Sequence, residues 1–478
     1  MQPTDKPYDR MSYNDVLRHA KTLVGRRLSD LYKSVTWGST SGRGTFGNYV
    51  ERHHFDYLPN NVSEPDFPEI DLELKTSPIR RDRHNNWKSK ERIVLGLIDY
   101  EGVITEIFES STFIKKNRNL LILFYEHDSA AHPSDLLVIM AGDWRYPEQD
   151  LIIIRKDWEA IRDKVNAGNA HMLSEGDTVY LGACTKGANK QSLRTQPNSP
   201  TMAMQRAYSL KSRYVNFIIQ SFEKAATAYN PIIRKKDKTQ LEKIGFEHLV
   251  IQRFARYVGK NPKEIAEKIP VSINFKAKAA FANLTKAILG VSLKAEIEEF
   301  TKAGVSTRTI RLRKDGRPKE AVSFPAFRFT ELLEGEWEDS DLLSDVSKIF
   351  FVVYQCTSSD FNDEQLVLKG VFFCNTPNTD LEEARSAWEH TRQLIANGNI
   401  VNRTAGTRRI TNFANSTHNR MVHVRPHAKN SEDTFPLPVQ DSHTGLRHYT
   451  KHSFWLNQSY LEALLKKQDT DLSPEKLK

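Results

Sequence analysis

Five pairs of segments recur along the chain in the same order, and this internal repeat constrains the fold more than composition does. VGRRLSDL (24–31) resembles VGKNPKEI (258–265), and RGTFGNYVER (43–52) matches KAAFANLTKA (278–287) in its Phe, Asn and apolar positions. FESSTFIKKNRNLLILFYE (108–126) lies over WEDSDLLSDVSKIFFVVYQ (337–355) without a gap. WEAIRDKVNAG (158–168) lies over WEHTRQLIANG (388–398), and AYSLKSRY (207–214) over SFWLNQSY (453–460). The offsets, 234, 235, 229, 230 and 246, are steady in the middle and drift where loop insertions would shift them. Chance pairing of amphipathic segments would not keep order. The repeat predicts two copies of one fold, residues 1–220 and 251–478, joined by a polar connector at 221–250.

Within the first copy, Tyr13–Val24 has helical spacing, and a second helix is expected near Phe46–Glu51. Strand-like runs follow at 70–76, 92–100, 119–127, 134–142 and 150–156, then a helix over Trp158–Val165 and a polar loop at 184–200. Strands and helices alternate without a regular βαβ rhythm, which predicts an α/β fold of the mixed α+β kind. No apolar run approaches the ~18 residues of a membrane span, and MQPTDKPYDR has no apolar signal core. Three cysteines (Cys184, Cys356, Cys374) form neither a disulfide framework nor a CxxC zinc pair. These features predict a soluble, cytoplasmic protein with no membrane partner.

The net charge is +9, from 69 Lys+Arg and 60 Asp+Glu, which favours an anionic partner, with nucleic acid first. Residues 1–220 carry 30 basic and 28 acidic side chains, whereas 251–478 carry 33 and 28. The surplus therefore sits mostly in the second copy.

The stretch PDFPEIDLELKT (65–76) is the most informative chemically. Leu72 and Leu74 alternate with Asp71, Glu73 and Lys75, as in a strand with one buried face, and Asp66 can curl back beyond Pro68. Carboxylates of this kind suit Mg²⁺, which binds through one or two acids plus phosphate and water oxygens. A lysine two residues on can orient the attacking water and screen phosphate charge. Spacing alone does not separate this from a solvated strand edge.

PDFPEIDLELKT closely resembles the catalytic segment of the MutH family, the mismatch-repair nicking endonucleases and their restriction-enzyme relatives that cut at GATC. RGTFGNYVE resembles that family's preceding helix. SKERIVLGLIDYE (89–101), SEGDTVYLGACTKGAN (174–189), HVRPH (423–427) and KHSFWLNQSYLE (451–462) look like the staphylococcal-type GATC restriction endonucleases, so the resemblance spans most of the chain. It implies a restriction-endonuclease-like PD-(D/E)xK fold, duplicated in tandem, with Mg²⁺ as cofactor and double-stranded DNA as partner. It implies Asp66 and Glu73 as metal ligands, Lys75 as the catalytic lysine, Glu51 as a further site carboxylate and Lys116 as a lysine near the scissile phosphate. Asp71 matches no catalytic position. Lys186 falls in the family's DNA-recognition loop, where Cys184-Thr185 replaces the family's Arg-Pro.

In the second copy Glu51 becomes Lys286, Asp66 becomes Glu299, Glu73 becomes Ser306 and Lys75 becomes Arg308, which predicts a half unable to cleave. Basic clusters remain in both copies: Arg80, Arg81, Arg83, Lys88, Lys90 and Arg92 in the first; Arg308, Arg311, Arg313, Lys314, Arg317 and Lys319 in the second. Candidate DNA contacts are Arg43, Lys186, Lys211 and Arg213 in the first copy, and Arg308, Arg425 and His427 in the second. His53-His54 lacks a third zinc ligand at a usable spacing, and Trp158 and Trp388 are expected in cores. The resulting expectation is a type II site-specific deoxyribonuclease that makes double-strand breaks at GATC, leaving 5′-phosphate ends. Its inactive copy would bind DNA as an effector, a cognate methyltransferase would act on the same site, and cutting both strands would take either two chains meeting on DNA or sequential events. A mismatch-repair nicking enzyme and a non-catalytic DNA-binding scaffold are the alternatives.

Overall fold

A computed structural model describes residues 7–38, 44–58, 64–82, 85–186, 191–224, 227–400, 402–405 and 408–468. The chain forms two compact units, Met1–Leu173 with Thr178–Thr227, and Ser174–Asp177 with Ala228–Lys478. The segment expected as a connector divides between them, and its helix Lys238–Gln252 buries Leu241, Phe246, Leu249 and Val250. Among the described residues no helix is long and apolar enough to cross a membrane.

The first unit is built on strands β1 (Glu73–Arg81), β2 (Trp87–Ser89), β3 (Ile93–Leu97), β4 (Asn119–Glu126) and β5 (Val138–Arg145). Further along come β6 (Leu181–Thr185), β7 (Leu193–Gln196), β8 (Ser199–Met204) and β9 (Arg206–Leu210). One sheet has the order β2-β1-β4-β5, with β1 and β4 parallel and the other pairs antiparallel. A second, antiparallel sheet has the order β3-β9-β6, and β7 and β8 form a hairpin. Leu120 to Phe124 of β4 are fully buried, as a strand covered on both faces requires.

The run DLIIIRK, expected as a strand, is instead the start of a helix spanning Glu148–Asn166. Pro147 precedes it and Glu148 and Asp150 occupy the first turn, both good helix-start signals. Ile153, Ile154, Trp158, Ile161 and Val165 then face the interior at helical spacing. A short apolar run carries no periodicity of its own, so the strand reading lost to the longer helical pattern.

In the second unit a two-residue ladder pairs β10 (Tyr229–Asn230) with β11 (Glu296–Ile297). The central sheet is β12 (Ser306–Leu312), β14 (Lys348–Cys356) and β15 (Leu366–Asn375), in the order β12-β14-β15, with the first pair parallel and the second antiparallel. Strands β13 (Val322–Phe327), β18 (Val422–Pro426) and β21 (His452–Leu456) form an antiparallel sheet, β13-β21-β18. The short pairs β16 (Asn402–Ala405) with β17 (Arg408–Thr411), and β19 (Thr434–Pro436) with β20 (His448–Thr450), complete the strands. A helix over Asn378–Ala396 follows Pro377 and buries Trp388.

Candidate active site

The segment 66–74 folds back on itself. Pro68 opens a single 3₁₀ turn to Ile70, and Asp71 ends it in the left-handed region at φ 52°. Phe67 and Leu72 then bridge, each amide donating to the other's carbonyl at 2.9 and 3.1 Å. The strand starts only at Glu73, two or three residues later than alternation predicted. Asp71 is therefore not on the strand face; its carboxylate accepts from Asn119 Nδ2 at 3.0 Å.

This fold-back joins the two predicted ligands. The Asp66 amide donates to Glu73 Oε2 at 3.1 Å, and the Leu74 amide donates to Asp66 Oδ2 at 2.9 Å. Arg10 clamps the loop from outside, with Nη2 donating to the Asp66 carbonyl at 2.6 Å. Glu73 is only 2% exposed, so the polar face of the strand is buried rather than solvated. Its Oε1 accepts from Lys75 Nζ at 2.5 Å and lies 3.7 Å from Lys116 Nζ. Lys116 arrives from the helix Thr112–Asn117, immediately before β4. The parallel pairing of β1 with β4 sets Glu73 opposite Leu120 and Lys75 opposite Ile122.

Glu51 enters from a third element, a π-helical turn over Val50–His54 that continues the helix Thr45–Tyr49. Its carboxyl is pushed up to about 7, first by burial and then by Asp66, with Glu73 adding and Lys75 and Lys116 opposing. Glu73 is raised as well, by burial ahead of the lowering effect of Lys75. The turn is anchored by His54, which is no ligand. Its ring stacks on His19 at 3.9 Å, each ring bonds the other residue's carbonyl, and Tyr32 Oη meets its Nδ1 at 2.8 Å. Burial holds His54 down at about 3, hence neutral.

Sequence reasoning missed Tyr57. Its amide donates to the Glu51 carbonyl at 3.1 Å, and its ring meets Phe67 edge-on. Its hydroxyl is buried and meets no hydrogen-bond partner in ordinary geometry among the described residues, with the Asp66 carboxylate as the acceptor it faces. Burial raises its pKa, and the charges of Asp66, Glu51 and Glu73 raise it further. No spacing rule singles out a tyrosine six residues beyond a carboxylate.

Three acids therefore face two ammonium groups, and the Glu51 carboxyl is raised first by burial and then by the neighbouring Asp66. A hard divalent cation would offset the crowded acids, so the donor set fits Mg²⁺ bound through Asp66 and Glu73. Among the described residues no three His, Cys, Asp or Glu side chains gather into a ready metal cage. Mg²⁺ needs none, because phosphate and water oxygens complete its shell.

The DNA-contact candidates separate. Arg43 lies outside the described residues. Lys186 is exposed just beyond β6, its amide bonded to the Gln205 carbonyl. Arg213 is half-buried in the first turn of the helix Ser212–Glu223. Lys211 is buried and unsuited to DNA: Nζ donates to the Thr178 carbonyl at 2.7 Å. Burial pushes the Asp157 carboxyl up to about 6, opposed by the amides of Leu181, Val179 and Tyr180, from which it accepts, and by the charge of Lys211. Arg81 lies 3.6 Å over the Trp87 ring.

In the second unit Ser306 sits opposite Ile349 and Arg308 opposite Phe351. Arg308 is half-buried against Phe324, with burial lowering its pKa and Asp345 opposing. Glu299 is spent on structure, accepting from the Ile232 and Ile233 amides at 2.8 Å each. Arg311 pairs with Glu320 and Asp363, Arg317 with Asp315, and Arg420 with Asp380 and Glu383. Two of the six residues of that basic cluster, Arg311 and Arg317, are thus paired with acids. Arg425 is exposed with its guanidinium 4.8 Å over Trp455, and His427 Nδ1 meets Ser453 Oγ at 2.8 Å. His423 is tied to Asn457 at 2.6 Å.

A family model described as DNA mismatch repair enzyme MutH matches residues 55–157, which include Asp66, Glu73, Lys75 and Lys116. The type II restriction enzyme Sau3AI of Staphylococcus aureus is 31% identical over 497 residues, covering 96% of this chain and 98% of that enzyme. The DNA mismatch repair protein MutH of Shewanella woodyi is 26% identical over 223 residues, 45% of this chain and 93% of that protein. That of Shewanella amazonensis is 26% identical over 187 residues, 38% and 81%.

Proposed function

The chain belongs to the family of Sau3AI-type type II restriction enzymes, and we propose that it hydrolyses both strands of duplex DNA at GATC with Mg²⁺, leaving 5′-phosphate ends. The observation that carries this reading is the buried Glu73, bonded to Asp66 on one oxygen and to Lys75 on the other. A solvated strand edge has no reason to bury a carboxylate between an acid and two lysines.

In this reading Asp66 and Glu73 hold the cation, which supplies Lewis-acid polarisation of the phosphate and a more acidic water. Lys75 orients the attacking water from its seat on Glu73. Lys116 screens the phosphate's charge as it approaches the acids. Glu51 would stand beside the cation-holding pair as the third carboxylate of the site and accept a hydrogen bond from a water there.

We read the two units as copies of one PD-(D/E)xK fold, 1–220 and 251–478 in outline. Supporting this, both central sheets run parallel then antiparallel through the strands carrying the aligned segments. The ungapped alignment puts Ile122 on Phe351, and these are the partners of Lys75 and Arg308. It also puts Asp345 where the first unit has Lys116. With Ser306, Arg308 and Asp345 in those places and Glu299 committed to amides, the second unit would not cleave.

It would instead bind DNA, as an effector site, through β18. Lys186 and His427 occupy matching places, each donating its amide at 2.7 Å to the residue before the central strand. The Arg-Pro pair that the first unit lacks stands before His427, as Arg425-Pro426. With one cutting centre per chain, two strand breaks need two chains or two sequential events. The protection that such an enzyme requires would come from a methyltransferase acting on the same sequence.

Supercoiled plasmid with and without GATC sites, incubated in Mg²⁺ or EDTA, tests the reading. Linear product with ends mapping to GATC is expected, and Glu73→Ala should abolish cutting while leaving Ca²⁺-supported DNA binding within about threefold. Nicked circles as the final product would instead favour a repair-type nickase, and binding without any cleavage would leave only a scaffold.

A further inference from the structure

We propose that Tyr57 is a positioning residue of the same centre, its hydroxyl donating to the Asp66 carboxylate when that carboxylate turns to a divalent cation. The inference rests on the metal reading above. The ring is fixed from two sides, 5.8 Å edge-on to Phe67 and 5.4 Å below the Arg10 guanidinium. Arg10 also grips the Asp66 carbonyl, so the tyrosine and the acid share one clamp. Through its amide Tyr57 is bonded to Glu51 as well, which ties it to both arms of the acid cluster.

The hydroxyl at the end of this fixed ring is buried and, among the described residues, makes no hydrogen bond in ordinary geometry. Such a group costs free energy that a phenylalanine would not, so packing alone does not account for it. The charges facing it are Asp66, Glu51 and Glu73, all acceptors. Asp66 accepts from the Leu74 amide through Oδ2, which leaves Oδ1 as the acceptor that a Tyr57 donor would use. Rotation of the carboxylate toward a cation would bring that oxygen into hydrogen-bond geometry and fix it there. Ligand-orienting partners of this kind typically contribute about 10-fold or more to metal affinity.

The test uses the full chain and Tyr57→Phe, with Mn²⁺ as the calorimetric probe in the absence of DNA. The variant is expected to melt at or above the wild-type temperature in EDTA, because it loses only a buried hydroxyl that makes no ordinary hydrogen bond. Its Mn²⁺ affinity should fall about tenfold. Unchanged affinity in a wild type that does bind Mn²⁺ overturns the role of Tyr57 and leaves the metal reading intact. A lower melting temperature in EDTA, whatever the affinity, overturns it by marking the hydroxyl as structural. A wild type that binds no divalent cation overturns both.

Discussion

Replacing Glu51 by glutamine should stabilise the metal-free protein, and only as pH rises above the ordinary carboxyl range. Glu51 has its carboxyl raised from 4.5 to about 7 in the folded state. A carboxyl raised on folding binds its proton more tightly in the native chain. Its favourable contribution is therefore complete below the unfolded value and is lost as pH climbs through the folded one. The full shift corresponds to about 3 kcal/mol above pH 8. Part of the side chain reaches solvent, which reduces the expectation to about 1–2 kcal/mol. The substituted amide carries no charge to expel, so the variant escapes the loss. In calorimetric scans with EDTA, wild type and Glu51→Gln should melt together near pH 4.5. They should diverge through pH 7, the variant gaining roughly 2–8 °C by pH 8 in a unit of this size. Cleavage in Mg²⁺ should drop at least 100-fold in the same variant. An equal gap at pH 5 and pH 8, or no gap at pH 8, would refute the idea that burial beside Asp66 holds the Glu51 carboxyl up in the folded chain.

Two further substitutions separate DNA contact from scaffolding. Lys211→Ala should cost about 1–3 kcal/mol in denaturant unfolding, because it leaves the Thr178 carbonyl without its donor and removes a favourable charge near Asp157. The salt dependence of its DNA affinity should stay at the wild-type slope, measured by fluorescence anisotropy. Arg425→Ala should behave oppositely, keeping stability within about 0.5 kcal/mol. It should weaken DNA binding in Ca²⁺ by about tenfold, which a competition titration would show.

Much of the centre was legible because its chemistry is written in one short segment. Asp66, Glu73 and Lys75 lie within ten residues, and a resemblance over those residues brought Glu51 and Lys116 with it. The strand register then gathers Glu73, Lys75 and Lys116 around a single carboxylate oxygen. What stayed hidden depends on contacts that no local pattern encodes. The left-handed turn at Asp71 removed it from a strand face that alternation had assigned. Lys211 reads as a basic residue beside a recognition strand, yet its charge is used inward. Glu299 looks like a surviving ligand and is in fact a cap for two amides. DLIIIRK was misread because three consecutive isoleucines mask the helical period that Asp157, Trp158 and Ile161 continue.

The reciprocal bonds between Asp66, Glu73 and Leu74 also bear on how the centre comes into being. They close a loop of nine residues, a short contour whose closure costs little chain entropy. The acid pair is thus a local product of its own sequence. Lys116 joins it from more than forty residues downstream, only when β4 docks alongside β1. The acid-bearing loop is held by near neighbours in sequence, whereas its Lys116 counter-charge depends on a long-range strand pairing. Loosening the pairing of β1 with β4 should therefore strip the acids of a lysine while leaving their mutual bonds in place.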